Sequence, residues 1–127
     1  MESSSRTLVC SVVFLDIVEY SKMPVAEQLH LKQSFNRVMA AALAQVATRD
    51  RVVLDTGDGA AVTFLGDPED ALFVAMSIRD AAAAQDGLGV RMGINLGPVR
   101  LVRDINGQIN IIGDGINVAQ RVMSFAG

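Results

Sequence analysis

The sequence predicts an α+β fold, a ferredoxin-like βαββαβ sandwich carrying an added hairpin and helix. Two patterns predict it. Apolar runs of strand length alternate with stretches of helical periodicity, in the order strand, helix, strand, strand, helix, strand. Asp-Gly and Asn-Gly turns then mark where strands double back.

Thr7 to Ile17 is the first strand, β-branched and nearly continuous, and so central in its sheet. Val18-Glu19-Tyr20-Ser21 is its exit turn, and Pro24 suits the first turn of a helix. From there to about Ala47, Leu31, Phe35, Val38, Met39, Ala42, Leu43 and Val46 recur at three- and four-residue spacing. Lys32, Gln33, Arg37 and Gln45 fall off that stripe. Arg51 to Leu65 reads as a hairpin, its Thr56-Gly57-Asp58-Gly59 tip favouring a two-residue type I′ turn.

Asp67 is the expected N-cap of a second helix, with Pro68 at its first position and acidic residues in its first turn. Ala71, Val74, Ala75, Ile78 and Ala82 share one face, and Asp86-Gly87 ends the helix. Val90 to Leu96 is a strand, Gly97-Pro98 a turn, and Val99 to Val102 a further strand. The Arg103–Gln108 loop, with its Asn-Gly signal, leads to a strand at Ile109–Ile112. Gly113 to Phe125 reads as a last helix.

At 127 residues the chain is expected to be one domain, residues 1–127. Half its residues are hydrophobic, so the core is Val, Ile, Leu, Ala and Met, with Met23, Met39, Met76 and Met123 as core or interface filler. The net charge of −3 argues against a nucleic-acid or anionic-membrane partner. The single cysteine, Cys10, allows no internal disulfide and fits a reducing compartment. No apolar run reaches the roughly 18 residues of a membrane span, and Met1 to Arg6 is no signal peptide. The expectation is a soluble, cytoplasmic domain.

Two carboxylates stand out. Asp16 ends an apolar strand, where a charge is costly unless paired or bound to a cation. Asp58 sits at the hairpin tip, where an Asp-Gly turn also serves a purely structural role. In the expected topology the first strand lies beside the hairpin, so both meet at one sheet edge. Paired carboxylates suit a hard divalent cation, which completes its shell with water and phosphate oxygens. Two such ions about 3.5–4 Å apart can activate an attacking oxygen and stabilise a leaving one.

Three segments in series resemble the class III adenylate and guanylate cyclase catalytic domain. Phe14-Leu15-Asp16-Ile17-Val18-Glu19-Tyr20-Ser21 resembles the family's first metal motif. Thr56-Gly57-Asp58-Gly59 is similar to its Gly-Asp hairpin. Gly113-Asp114-Gly115-Ile116-Asn117-Val118-Ala119-Gln120-Arg121 is similar to its Gly-x-x-x-Asn-x-Ala-x-Arg helix. The resemblance implies conversion of ATP to cyclic 3′,5′-AMP and pyrophosphate, in intracellular signalling, at the interface of a homodimer or a paired cyclase domain. Asp16 and Asp58, with the Ile17 carbonyl, would hold two ions per site, Mg²⁺ or Mn²⁺. The amides of Val18, Glu19, Tyr20 and Ser21, running into the first helix, would cradle the triphosphate beside Gly57. Asn117 and Arg121 of the partner subunit would orient the ribose and stabilise charge on the phosphate. Their spacing puts them on one helix face, which a solvated polar pair would also satisfy.

The base contacts depart from the family pattern. Leu54 stands where adenylate cyclases carry a lysine, and Asn110 where they carry Asp or Thr. Pro98 occupies a position at which some members have a phosphate-binding arginine. The family's C-terminal lysine and final strands would lie beyond Gly127, so the resemblance implies a domain cut short at its C-terminus. A degenerate cyclase homology domain, binding nucleotide or a partner without turnover, is the alternative. A diguanylate cyclase is disfavoured, because its Gly-Gly-Asp/Glu-Glu-Phe hairpin is missing.

Overall fold

The computed structural model describes residues 5–85, 87–103, 105–106 and 109–112. Its centre is β1 (Ser5–Ile17), whose apolar run is flanked on both sides by antiparallel strands. On one side lie β3 (Gly59–Phe64) and then β2 (Arg51–Asp55); on the other lie β4 (Val90–Arg103) and then β5 (Ile109–Ile112). The order β2-β3-β1-β4-β5 is the expected βαββαβ arrangement plus one added strand, antiparallel throughout. The last expected helix, Gly113 to Phe125, lies outside the described residues.

Alternation along the strands decides what each face does. Val13, Leu15 and Ile17 of β1 share a face with Ala60 and Val62 of β3 and with Val90 and Met92 of β4. That face is covered by α1 (Val25–Leu43) and α2 (Glu69–Ala83), which contribute Leu31, Phe35, Val38, Val74 and Ile78 to one core. All seven residues of the first helical stripe are buried, including Val46 just past the helix end. On the opposite face Phe14 and Ala61 pack with Leu54 in a smaller cluster. Cys10 is buried, and burial raises its thiol pKa, as befits a small core residue.

The capping chemistry of α2 works as the sequence implies. The Asp67 carboxylate accepts the amide of Glu69 at 2.9 Å, and Pro68 already has helical dihedrals. α1 starts later than a strand-to-helix turn would require. A 3-10 turn at Tyr20–Lys22 intervenes, and the Gln28 amide group ties it to the helix by donating to the Tyr20 carbonyl. α1 also ends at Leu43, short of Ala47, and turns off through a second 3-10 turn at Thr48–Asp50.

Two local expectations are corrected. Gly97-Pro98 is no turn: β4 runs unbroken from Val90 to Arg103, with Gly97 opposite Cys10 and Pro98 opposite Val9. Among the described residues β5 pairs only with Arg100–Arg103, so Pro98 lies on a stretch of edge strand, where a missing N–H is tolerated. The hairpin tip is a three-residue connection, Thr56-Gly57-Asp58, rather than a two-residue type I′ turn. Gly57 takes the positive φ of 89°, while Gly59 is needed for closeness. A Cβ at Gly59 would collide with the Leu15 carbonyl oxygen of β1. Of the expected core or interface methionines, Met39 is buried, while Met76 lies outside the core, exposed on α2 beside exposed Leu72 and Phe73.

Candidate active site

β1 delivers Asp16 to its last turn of pleat, and β3 delivers Asp58 from the tip that precedes it. The register sets Asp16 opposite Gly59, and the Ile17 amide donates to the Asp58 carbonyl at 2.8 Å. Both carboxylates line a pocket of about 350 Å³ with Ile17, Val18, Glu19, Tyr20, Ser21, Lys22 and Arg91. Six of the expected site residues from the first motif and the Asp58 carboxylate are therefore in one place.

The loop after Asp16 is built for polar ligands. Its ends are fixed: Val18 N–H donates to the Gly89 carbonyl, and Lys22 and Met23 N–H donate back to Glu19 and Tyr20. The amides of Glu19, Tyr20 and Ser21 find no protein acceptor among the described residues. Tyr20 and Met23 are partly buried against the core beneath. Glu19 has a φ of 57°, the one non-glycine residue with positive φ among those described. Glu19 lines the pocket, and its carboxylate lies 3.8 Å from Lys22, an exposed and weak pair.

A clip from α1 holds the hairpin tip. Lys32 Nζ donates to Asp55 Oδ1 at 2.9 Å and to the Gly57 carbonyl at 3.0 Å, and it lies over the Phe35 ring. Asp55 Oδ1 also accepts the Gly57 amide at 2.8 Å. The hydrogen bond from Lys32, then that from Gly57, hold the Asp55 carboxyl below its ordinary pKa. Asp58 Oδ1 accepts the Thr56 hydroxyl at 3.3 Å. Asp55 thus faces α1, while its neighbour Leu54 packs on the other face with Phe14, as strand alternation demands.

Arg91 was not among the residues singled out from the sequence. It sits opposite Asp16 in the β1–β4 ladder and grips the carboxylate with two bonds, Nε to Oδ1 at 3.1 Å and Nη2 to Oδ2 at 2.9 Å. These bonds make the guanidinium still harder to deprotonate than usual. The costly carboxylate in an apolar strand has its cation. The signal was present in the alternation Val90-Arg91-Met92-Gly93-Ile94, but the register that pairs Arg91 with Asp16 is invisible in a single strand.

The remaining expected residues lie elsewhere. Gly57 is exposed at the tip and outside the pocket lining, and Leu54 is one row further along the sheet. Asn110 pairs with Val102, which faces Ser5 at the start of β1. Asp16 is eleven residues further on, roughly 35 Å at the rise of an extended strand. Within one copy, Asn110 and the Asp16 pocket are at opposite ends of the sheet. Asn117 and Arg121 lie outside the described residues.

The donor set is one a divalent cation could use: a carboxylate at a strand end and one at the adjacent hairpin tip, with a guanidinium already drawn to the first. No group of three or more His, Cys, Asp and Glu side chains gathers among the described residues, so substrate or water oxygens would complete such a cation's shell.

No protein-family model and no curated protein matches the sequence. Solved structures do match. An adenylate/guanylate cyclase/hydrolase from Silicibacter pomeroyi is 25% identical, with a TM-score of 0.72 over 94% of this chain and 70% of its own. The catalytic core of a rhodopsin-guanylyl cyclase with converted specificity, in complex with ATPαS, is 19% identical, with a TM-score of 0.73 over 97% and 76%. The fold is that of the class III nucleotidyl cyclase catalytic domain. A bacterial light-regulated adenylyl cyclase superposes at a TM-score of 0.76 over 98% of this chain and 41% of its own, at 17% identity. Cyclase folds of both base preferences are therefore among the relatives. No helix among the described residues is long and apolar enough to cross a membrane.

Proposed function

We propose that this chain is a nucleotidyl cyclase domain that converts ATP to cyclic 3′,5′-AMP and pyrophosphate at a site shared between two copies or two paired cyclase domains. One observation carries the reading: Asp16 and Asp58 converge on a single pocket whose floor is the 17–22 loop, within a cyclase fold. Asp16 and Asp58, with the Ile17 carbonyl, would hold two Mg²⁺ or Mn²⁺ ions. Such ions supply activation of the ribose 3′-oxygen and stabilisation of the departing pyrophosphate.

The chain's own residues do the rest. The amides of Glu19, Tyr20 and Ser21, which find no acceptor among the described residues, bind triphosphate oxygens. Lys32 and Asp55 keep the hairpin tip rigid, so Asp58 stays at a fixed point as charge develops. Asn117 and Arg121 of a second copy orient the ribose and balance charge on the α-phosphate. The far position of Asn110 supports this division, since a base contact by that residue requires another copy.

A catalytically silent nucleotide-binding domain is the second reading. Leu54, partly buried against Phe14 and Ala61, favours it, because an apolar side chain offers a base no hydrogen bond. Supplying ATP and GTP separately with Mn²⁺ and identifying the products decides. Cyclic AMP in excess over cyclic GMP supports the proposal; nucleotide binding with no cyclic product supports the second reading.

A further inference from the structure

Arg91 has a fork on Asp16 and a free arm. Nε and Nη2 are used on the carboxylate, while Nη1 has no protein acceptor among the described residues. The side chain is about a third exposed and lines the pocket; the Asp16 side chain it grips is 15% exposed. The Asp58 carboxylate lines the same pocket. Arg91 is thus paired with one candidate metal ligand and shares a pocket with the other. Among the described residues it is a placeholder with the right charge in the right place.

A divalent cation on Asp16 and this guanidinium want the same oxygens. Both carboxylate oxygens are engaged by Arg91, so a metal–oxygen bond competes with the fork directly. Like charges a few ångströms apart repel at a protein surface. The displaced guanidinium stays tethered at the pocket wall, within the same pocket as the loop whose amides face a ligand. Its planar donor set matches phosphate oxygens.

We propose that Arg91 is the internal counterion of Asp16, that divalent cations bind by displacing it, and that the released guanidinium then donates to a phosphate oxygen of the bound triphosphate. This rests on the reading of Asp16 and Asp58 as metal ligands. It adds a positioning and phosphate-binding residue and makes cation entry the event that frees it.

The test uses the full chain with Mg²⁺ or Mn²⁺ alone, then with inorganic tripolyphosphate. In the metal-free protein the Arg91 Nε–H resonance, assigned by its loss in Arg91→Lys, should exchange slowly with water. Saturating Mg²⁺ should speed that exchange by about tenfold or more, and tripolyphosphate should restore protection. Mn²⁺ affinity, read from water-proton relaxation, should rise about tenfold in Arg91→Met without polyphosphate, because the competing charge is gone. The same variant should lose about tenfold in affinity for Mn²⁺–tripolyphosphate. If Mn²⁺ binds and Asp58→Asn abolishes it, yet the Arg91 resonance ignores Mg²⁺, the exchange is overturned and the metal site stands. If wild-type protein binds no Mn²⁺, both are overturned. The resonance is followed in wild-type protein and needs only Arg91→Lys for its assignment, so it decides even if Arg91→Met fails to fold.

Discussion

The amide of Ile17 donates to the carbonyl of Asp58 at 2.8 Å, and this one backbone bond couples the strand end bearing Asp16 to the hairpin tip bearing Asp58. The two carboxylates are thereby held by the ladder itself rather than by flexible contacts. Closing that ladder requires Gly59, because any side chain there would strike the Leu15 carbonyl.

Gly59→Ala should therefore be disproportionately harmful for a single methyl group. The backbone φ is not the cause; the space is. The expected loss is about 1–3 kcal/mol in urea unfolding, the usual scale for overpacking. Amide exchange at Ile17 should accelerate as the β1–β3 end opens. Stability and exchange matching wild type would show that the strands can part without cost.

Much of this architecture was legible in the chain. The helix stripe from Leu31 to Val46, the Asp67 cap and the central β1 could be read because periodicity and capping are local. Gly97-Pro98 misled because proline and glycine signal a turn locally, whereas pairing with Val9 and Cys10 across the sheet prevails. The tip at Thr56-Gly57-Asp58 differs from its expected form for a similar reason: Gly59 is dictated by Leu15 of β1, a partner distant in sequence. Asp16 was flagged as needing a cation, but Arg91 could be found only once the register was known. Met76 shows the reverse limit, since helical spacing does not say whether a neighbouring element reaches that face.

Glu19 occupies a left-handed backbone conformation that costs a non-glycine residue about 1–2 kcal/mol. Glu19→Gly should stabilise the chain by up to about 1 kcal/mol, the gain being reduced by the greater unfolded-state freedom of glycine. It also removes a negative charge from the pocket lining, so tripolyphosphate should bind more tightly. Thermal unfolding checks the first effect and calorimetric titration the second.

The Lys32–Asp55 clip predicts a specific acid response. The folded-state pKa of Asp55 lies below its unfolded value near 3.9. Its contribution is therefore present above that unfolded value and is lost as pH falls through the lower folded one. Asp55 is largely exposed, so the contribution is small, under about 1 kcal/mol. Lys32→Met should lower stability at pH 7 by that amount and make the fall in stability below pH ~4 shallower. Urea unfolding from pH 7 to pH 2 measures both, and a parallel curve for the variant would rule the clip out.

Phe35 is 1% exposed and anchors α1 under the clip. Phe35→Leu should cost about 1–2 kcal/mol by leaving a cavity, and Phe35→Ala about 3–5 kcal/mol. Guanidinium denaturation gives these values. Equal, small losses for both would mean that the α1–sheet core is looser than its burial indicates.

The most direct test of the central claim is divalent-dependent production of cyclic nucleotide from ATP by the wild-type chain, compared with Asp16→Asn and Asp58→Ala. Protein concentration should be high enough for two copies to meet. Cyclic AMP that requires Mg²⁺ or Mn²⁺ and falls by about 10²-fold or more in each folded variant is the predicted result. Production that is unchanged in both variants, or absent from a wild-type sample shown to be dimeric and to bind nucleotide, would contradict it.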